Sequence, residues 1–254
     1  MKYLSVAEAI AAPGLRLVLT AGLPGPWGEA AKSILAYKGL AYVPVLQQGG
    51  GENAALREWT GQTSAPVAVY ENDPPVCHWL DLLLLAERLA PDKPLVPVHC
   101  ADRVEVLGVS ALIAGVDGFG WHRRLQMLAP MMLLDEPPAM ARRLAAKYGW
   151  SVQAHAAATM RLQAISAELD ARLARQQLQG SDYLVGNTLS AADFYWANFA
   201  AMLKPLGPAD NPMPDYMRAT YASGDAATLA CLTPRLEAHR DLMYMRHIAL
   251  PLDF

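Results

Sequence analysis

The sequence predicts an α/β domain followed by an all-helical domain. Three observations support this. Residues 1–92 alternate short apolar runs with amphipathic helical stretches, a proline-rich segment follows, and almost everything beyond it has helical periodicity. A chain of 254 residues has enough material for two small hydrophobic cores. We therefore expect an α/β domain at 1–92, a linker at 93–101 and an all-α domain at 102–254.

The α/β domain begins with a predicted strand at Leu15–Thr20, a short apolar run after Pro13-Gly14. A helix is predicted from Pro26, which suits a first helical turn, to Gly39, which suits a helix end. A second strand at 41–46 contains Pro44 and should therefore lie at a sheet edge. The remaining predicted elements are a helix at 54–59, strands at 67–70 and 76–78, and a helix at 80–89.

The second domain is predicted to contain long helices. One covers 103–128, another covers 139–179, and the last begins at Thr233-Pro234 and ends before Pro251. Ser190 and Asp193 have the spacing of a capping box, in which the Asp193 carboxylate accepts the Ser190 N–H. We expect both residues to be structural and the helix after them to be buried.

Composition excludes several classes of function. The net charge of −3 offers no basic surface for nucleic acid. The three cysteines have neither disulfide nor metal-site spacing, so we expect a cytoplasmic protein without a metal. No apolar run approaches ~18–20 residues, so we expect no membrane partner. The motifs of ATP, dinucleotide, serine-hydrolase and zinc-protease sites are also missing.

Three stretches, in this order along the chain, resemble the glutathione transferase superfamily of the cytosolic type. They are Gly25-Pro26-Trp27 with the helix exit at 37–42, Ala65-Pro66-Val67-Ala68-Val69, and the capping box at 190–193. The resemblance implies a thioredoxin-like first domain and an all-helical second domain. It also implies a homodimer that uses glutathione as co-substrate and a small electrophilic or apolar molecule as second substrate.

The resemblance also implies the site residues. The glutathione side would be lined by Pro26, Trp27, Ala65, Pro66, His78 and Trp79, and the substrate pocket by Trp121 and His122. In relatives the proline matching Pro66 is cis, and the residue before it pairs its backbone with glutathione. Simpler interpretations stay open: a local partner for His78, a core role for Trp27, and a packed helix with a solvated arginine pair around Trp121.

The sequence departs from the family where catalysis would occur. Relatives have Ser or Cys before the proline, or Tyr at the end of the first strand, and here these positions hold Gly25 and Thr20. The acid–serine pair that binds the γ-glutamyl group is replaced by Cys77-His78-Trp79. No catalytic side chain is therefore assigned, although the amides of Trp27 and Gly28 at a helix N-terminus would still favour a thiolate.

Three hypotheses follow from these departures. Glutathione still binds and is activated by helix amides, or the cleft serves another small ligand, or the fold survives as a non-catalytic binding or scaffolding protein. The first hypothesis is preferred, because glutathione brings its own nucleophile.

Overall fold

The computed structural model describes all 254 residues and divides them into two compact units. Unit 1 comprises Met1–Pro94, Gly207–Pro214 and Ala249–Phe254, and unit 2 comprises Leu95–Leu206 and Asp215–Ile248. The segments 207–214 and 249–254, which we expected in the helical domain, therefore belong to unit 1.

Unit 1 is built on a small mixed sheet. Its elements are α1 (Val6–Ala11), β1 (Leu15–Thr20), α2 (Pro26–Tyr37), β2 (Val43–Gln47), α3 (Ala54–Thr60), β3 (Val67–Tyr70) and α4 (Trp79–Leu89). The strand order is β2-β1-β3, with β1 parallel to β2 and antiparallel to β3. The central strand β1 is almost wholly buried, and Val18, Val45 and Val67 contribute one residue from each strand to a core cluster. The α/β class is confirmed.

Two elements of unit 1 differ from the prediction. The expected strand at 76–78 is reduced to one bridge between Ala68 and Val76. Pro74 and Pro75 precede it and have no N–H to donate, which limits the pairing. The structure also adds α1, whose N-terminus carries a capping box of Ser5 and Glu8 that the sequence analysis overlooked.

The edge position of β2 is confirmed, and it explains how Pro44 is tolerated. On the open side of this strand the Leu4 N–H donates to the Pro44 carbonyl and the Leu46 N–H donates to the Leu4 carbonyl, both at 2.9 Å. Further along, the buried Lys38 ammonium bonds the carbonyls of Ala90 at 2.7 Å and Lys93 at 2.9 Å. The first two contacts attach the chain start to the sheet, and those of Lys38 attach the end of α4 to the end of α2.

Unit 2 is entirely helical. Its elements are α5 (Cys100–Ala114), α6 (Phe119–Met132), α7 (Ala139–Tyr148), α8 (Val152–Leu178), α9 (Ala191–Ala200), α10 (Asp215–Ala222), α11 (Ala226–Leu229) and α12 (Pro234–His247). The helices predicted at 103–128 and 139–179 are each divided into two helices in the structure. One break lies at 115–118, where a Cβ on Gly118 would come within 2.8 Å of the Ala111 carbonyl oxygen. The other lies at Gly149, which adopts a left-handed φ of 65°.

The stretch Cys100–Met132, which contains α5 and α6, is long and apolar enough to cross a membrane by length and composition alone. Half of its most apolar window is buried inside the fold. Within unit 2, α5 packs on α9 and α6 packs on α8. Core helices meet the same criterion, so the stretch is weak evidence for a membrane span.

The capping box of α9 forms as predicted, and its acidic residue holds more than the helix start. The fully buried Asp193 carboxylate accepts the Ser190 N–H, the Ser190 hydroxyl and the Leu184 N–H, each at 2.8 Å. His239 Nε2 lies 2.9 Å from the same carboxylate, which brings α12 to the start of α9. Asp193 thus connects the loop before α9, the start of α9 and helix α12.

Candidate functional site

One edge of the sheet in unit 1 gathers most of the predicted glutathione side. The carboxyl ends of β1 and β2 meet there, with Thr20 opposite Gln47. Because β3 runs the other way, its start lies at the same edge, with Val67 opposite Val18. The loop into α2 and the Ala65-Pro66 dipeptide therefore share this edge, which we call the site edge.

The N-terminus of α2 supplies backbone donors at the site edge. Gly25 is the N-cap in extended conformation, and Pro26 occupies the first helical position, as expected. The Gly28 N–H makes no hydrogen bond within the chain. A Cβ on Gly25 would meet no atom within 4 Å, so the space beside the helix start is open. Donors and the positive dipole end beside open space favour an anion such as a thiolate.

Ala65 presents unpaired backbone at the same edge. The Ala65–Pro66 peptide bond is cis, as the resemblance implies. The N–H and C=O of Ala65 form no hydrogen bond within the chain, although the residue is half-buried and its side chain packs against the core cluster. Half-buried backbone groups of this kind are normally paired, so a water or an extended peptide is expected to bond them.

The Thr20 hydroxyl donates its proton in a hydrogen bond within the protein. The hydroxyl donates to Gln47 Oε1 at 2.7 Å, and the Gln47 amide nitrogen donates to the carbonyls of Gln48 at 2.8 Å and Thr63 at 3.0 Å. Two carbonyl acceptors fix the orientation of the Gln47 amide, so its oxygen must face Thr20. Thr20 therefore cannot donate to a ligand sulfur in this arrangement.

Sequence reasoning missed Gln47 and Asn53, which brace the site edge. The Asn53 amide donates to the carbonyls of Gln48 at 2.9 Å and Thr63 at 3.0 Å, while its oxygen accepts the Gln48 N–H at 3.0 Å. Together the two side chains connect the end of β2 to the segment before Ala65. A signal existed, because Gln47 is a polar residue at the end of a strand, but its partners depend on strand pairing.

His78 and Trp79 begin α4, where the chain runs back from the Ala68–Val76 bridge. His78 is exposed and caps the helix, because its Nδ1 accepts the Leu80 N–H at 3.4 Å. Trp79 is only 7% exposed, so it anchors the helix in the core. Cys77 lies in the strand predicted at 76–78, where a cysteine is usually buried, but it is exposed. The local-partner interpretation of His78 fits this geometry, and Nε2 of its ring stays available for a ligand.

The predicted pocket residues Trp121 and His122 lie on α6 of unit 2. Trp121 donates its indole N–H to the Tyr148 carbonyl at 2.9 Å and meets the Tyr148 ring edge-on at 4.8 Å. His122 is buried, and its Nε2 lies 2.7 Å from Asp117 Oδ1. Both side chains are thus held by contacts within unit 2.

The arginine pair that follows them is not solvated. Arg123 is 1% exposed, and its guanidinium donates to backbone carbonyls that include Met202 at 2.9 Å and Tyr221 at 3.1 Å. Arg124 is half-buried and donates to the Tyr221 hydroxyl at 3.3 Å. Burial and the neighbouring Arg124 charge lower the pKa of Arg123 to about 10. The solvated interpretation of this pair was therefore wrong.

No group of three or more His, Cys, Asp or Glu side chains is placed to hold a metal ion. The groups described at the site edge are backbone amides, a helix N-terminus and the side chains of Thr20, Gln47 and Asn53.

Solved structures of glutathione transferases resemble this chain over nearly its whole length. One from Methylobacterium radiotolerans, in complex with glutathione sulfonate, has 17% identity and a TM-score of 0.64, with 91% of each chain covered. Another from Methylobacillus flagellatus, with glutathione bound, has 13% identity and a TM-score of 0.65, covering 91% of this chain and 95% of that one. The nitrogen regulation fragment of the yeast prion protein Ure2p has 12% identity and a TM-score of 0.62, covering 92% and 93%.

No protein-family model and no curated protein sequence matches the chain. At identities this low, structural similarity establishes the architecture and leaves the chemistry to the site itself. The mixed sheet of unit 1 and the helices of unit 2 reproduce that architecture in order. The chain therefore has the glutathione transferase fold, with a thioredoxin-like first unit and an all-helical second unit.

Proposed function

We propose that this protein binds glutathione at the site edge and transfers it to a small electrophilic or apolar molecule. One observation carries the proposal. The unpaired backbone of Ala65 and the unpaired Gly28 N–H at the start of α2 belong to the same edge of one sheet, beside open space at Gly25. These are the groups needed to hold a peptide and to stabilise its thiolate.

Ala65 would hold the cysteinyl part of glutathione. Its N–H donates to the cysteinyl carbonyl and its carbonyl accepts the cysteinyl N–H, as in one pair of an antiparallel ladder. Pro66 fixes the backbone that follows, and Trp27, which is half-buried, forms an apolar wall. The exposed His78 ring and the exposed Asp81 carboxylate both lie at the start of α4. They would bind the charged γ-glutamyl group at the other end of the tripeptide. The buried Trp79 keeps this helix start in place.

The start of α2 would activate the thiol. A helix N-terminus stabilises a nearby negative charge by about 0.3–1 kcal/mol, and up to ~2 kcal/mol when partly buried. The thiol proton passes to solvent, and the thiolate attacks the electrophilic carbon. The new S–C bond forms as the leaving group departs with its bonding electrons. Here the protein positions and ionises the nucleophile, while glutathione supplies it.

Calorimetry with reduced glutathione tests binding. We expect saturable binding, with a stability gain of about 2.7 kcal/mol at a hundredfold excess over the dissociation constant. Gly25→Phe should abolish binding while the protein stays folded, because the added ring enters the open space beside α2. Gly108→Phe is the matched control, since Gly108 lies on α5 in unit 2 and also has no atom within 4 Å of an added Cβ. No heat and no thermal shift with wild-type protein up to ~10 mM glutathione would refute the proposal.

A non-catalytic ligand-binding or scaffolding role is the alternative. The commitment of the Thr20 proton to Gln47 favours it, because no side chain remains to stabilise a thiolate. The similar yeast fragment is described by nitrogen regulation. Turnover of an activated aryl halide discriminates between the two: glutathione binding without turnover supports the binding role. The resemblance further leads us to propose a cytoplasmic homodimer, which light scattering tests for the oligomeric state.

A further inference from the structure

Arg124 is a half-buried cation whose partners in the protein are uncharged. Its guanidinium donates to the phenol of Tyr221 at 3.3 Å, lies 5.7 Å from the centre of that ring, and hydrogen-bonds the phenol of Tyr148. It forms no salt bridge, and its Nε is buried without a hydrogen-bond partner. A buried donor without a protein partner calls for a water, an ion or a ligand.

The phenols cannot neutralise this charge. Tyr148 and Tyr221 are both buried, and burial raises the pKa of Tyr148 above its ordinary value, so its hydroxyl stays neutral at physiological pH. The adjacent Arg123 adds a second positive charge whose partners are mainly backbone carbonyls. Buried charges are normally paired with an opposite charge, and within unit 2 this one is not.

We propose that Arg124, with the hydroxyls of Tyr148 and Tyr221, forms a binding site for the carboxylate group of a small molecule. A guanidinium is planar and presents several N–H donors in a geometry that matches a carboxylate. The phenols hold the guanidinium in place. Trp121, packed edge-on against Tyr148, supplies an aromatic surface for an apolar or aromatic body.

The assignment of this carboxylate to the second substrate rests on the proposed function, but carboxylate binding itself does not. If the proposed function holds, the preferred electrophiles carry a carboxylate, and an ester or amide of the same molecule is a poorer substrate. If glutathione does not bind, unit 2 still binds the carboxylate.

Calorimetric titration of the whole protein with benzoate, without glutathione, tests the site. Benzamide is the matched neutral probe, with the same ring and size. We expect benzoate to bind and benzamide to bind at least tenfold more weakly, because a hydrogen bond to a charged group contributes about 1.5–3 kcal/mol. Arg124→Gln should weaken benzoate about tenfold to a hundredfold and leave benzamide unchanged. Arg142→Gln is the control, since Arg142 is an exposed arginine on α7.

Two further variants keep the test decisive if Arg124→Gln fails to fold. Arg124→Lys keeps the charge but loses the planar donor geometry, and Tyr221→Phe removes one hydroxyl; each should weaken benzoate several-fold. Equal binding of benzoate and benzamide, no binding of either, or benzoate binding unchanged in Arg124→Gln would overturn the inference. A parallel glutathione titration separates the two proposals: glutathione binding without benzoate binding refutes only the carboxylate site, and the reverse refutes only the glutathione proposal.

Discussion

Replacing Gly25 with serine tests the account of the site edge most directly. Gly25 has φ −67° and ψ 126°, which any residue adopts, and an added Cβ meets no atom within 4 Å. The residue is the N-cap of α2 and provides no side-chain hydrogen bond. A serine there fits without strain. In the ligand-free protein its hydroxyl can accept the Gly28 N–H; with glutathione bound, the hydroxyl donates its proton to the sulfur and the Gly28 N–H also donates to the sulfur.

The expected stability change follows from these facts. Serine as N-cap exceeds glycine by a few tenths of a kcal/mol. Replacing glycine also lowers the conformational entropy of the unfolded chain, which adds about 0.4–1 kcal/mol to the free energy of unfolding. Gly25→Ala gains the same contribution from the unfolded chain, but alanine is a poorer N-cap than either serine or glycine. The serine variant should therefore exceed the alanine variant by about 1 kcal/mol, which is about 2–4 °C in melting temperature for a chain of this length.

The effect on the thiol is read from the pH dependence of the ultraviolet thiolate absorbance of bound glutathione. One additional hydrogen bond to the thiolate contributes about 1 kcal/mol, so Gly25→Ser should lower the thiol pKa by nearly one unit relative to Gly25→Ala. A higher melting temperature with an unchanged thiol pKa would place the sulfur away from α2. A destabilised serine variant would contradict the open space beside Gly25.

Other predictions concern buried polar groups. Asp193→Ala should cost about 3–5 kcal/mol in urea unfolding, because four buried donors lose their acceptor, and a loss below about 1 kcal/mol would contradict this. Lys38→Met should cost about 2–4 kcal/mol by the same assay, since it removes the donor to the carbonyls of Ala90 and Lys93 and the ion pair with Glu87. Burial raises the pKa of Tyr3 and of Tyr42 to about 12. Their contribution to stability is therefore intact below pH ~10, the ordinary pKa, and is lost as pH rises toward 12. Ultraviolet titration of Tyr3→Phe and Tyr42→Phe should show one late-ionising phenol fewer in each; an unchanged curve would refute the assignment.

Much of the fold was predictable because its signals are local. The apolar run of β1, the proline that starts α2 and the spacing of Ser190 and Asp193 each encode their own structure. The break at Gly149 was missed because apolar periodicity continues on both sides of it. The left-handed backbone of Gly149 ends α7, and the extended N-cap Ser151 starts α8.

The site was less predictable because it depends on pairing between distant segments. Pro66 and the start of α2 were found through local motifs. The engagement of Thr20 was not, since it depends on Gln47 lying directly opposite in β2. Without that register, a threonine hydroxyl at a strand end looks available as a donor. With the Thr20 proton donated to Gln47, the donors described beside the start of α2 are backbone amides.

The arginine pair shows how one rule about charge can miss two different roles. Charged residues are rarely buried, so adjacent arginines on a helix are expected in solvent. Arg123 instead donates to Met202 and to carbonyls at the end of α10, where the helix dipole is negative, so the protein itself compensates its burial. The hydrogen-bond partners of Arg124 are the phenols of Tyr148 and Tyr221. Arg123→Met should therefore lower the free energy of unfolding by about 2–4 kcal/mol and leave the benzoate affinity of the folded protein nearly unchanged. Arg124→Gln should instead weaken benzoate binding and change the free energy of unfolding less. Equal effects of the two variants on both quantities would show that the pair acts as one structural unit.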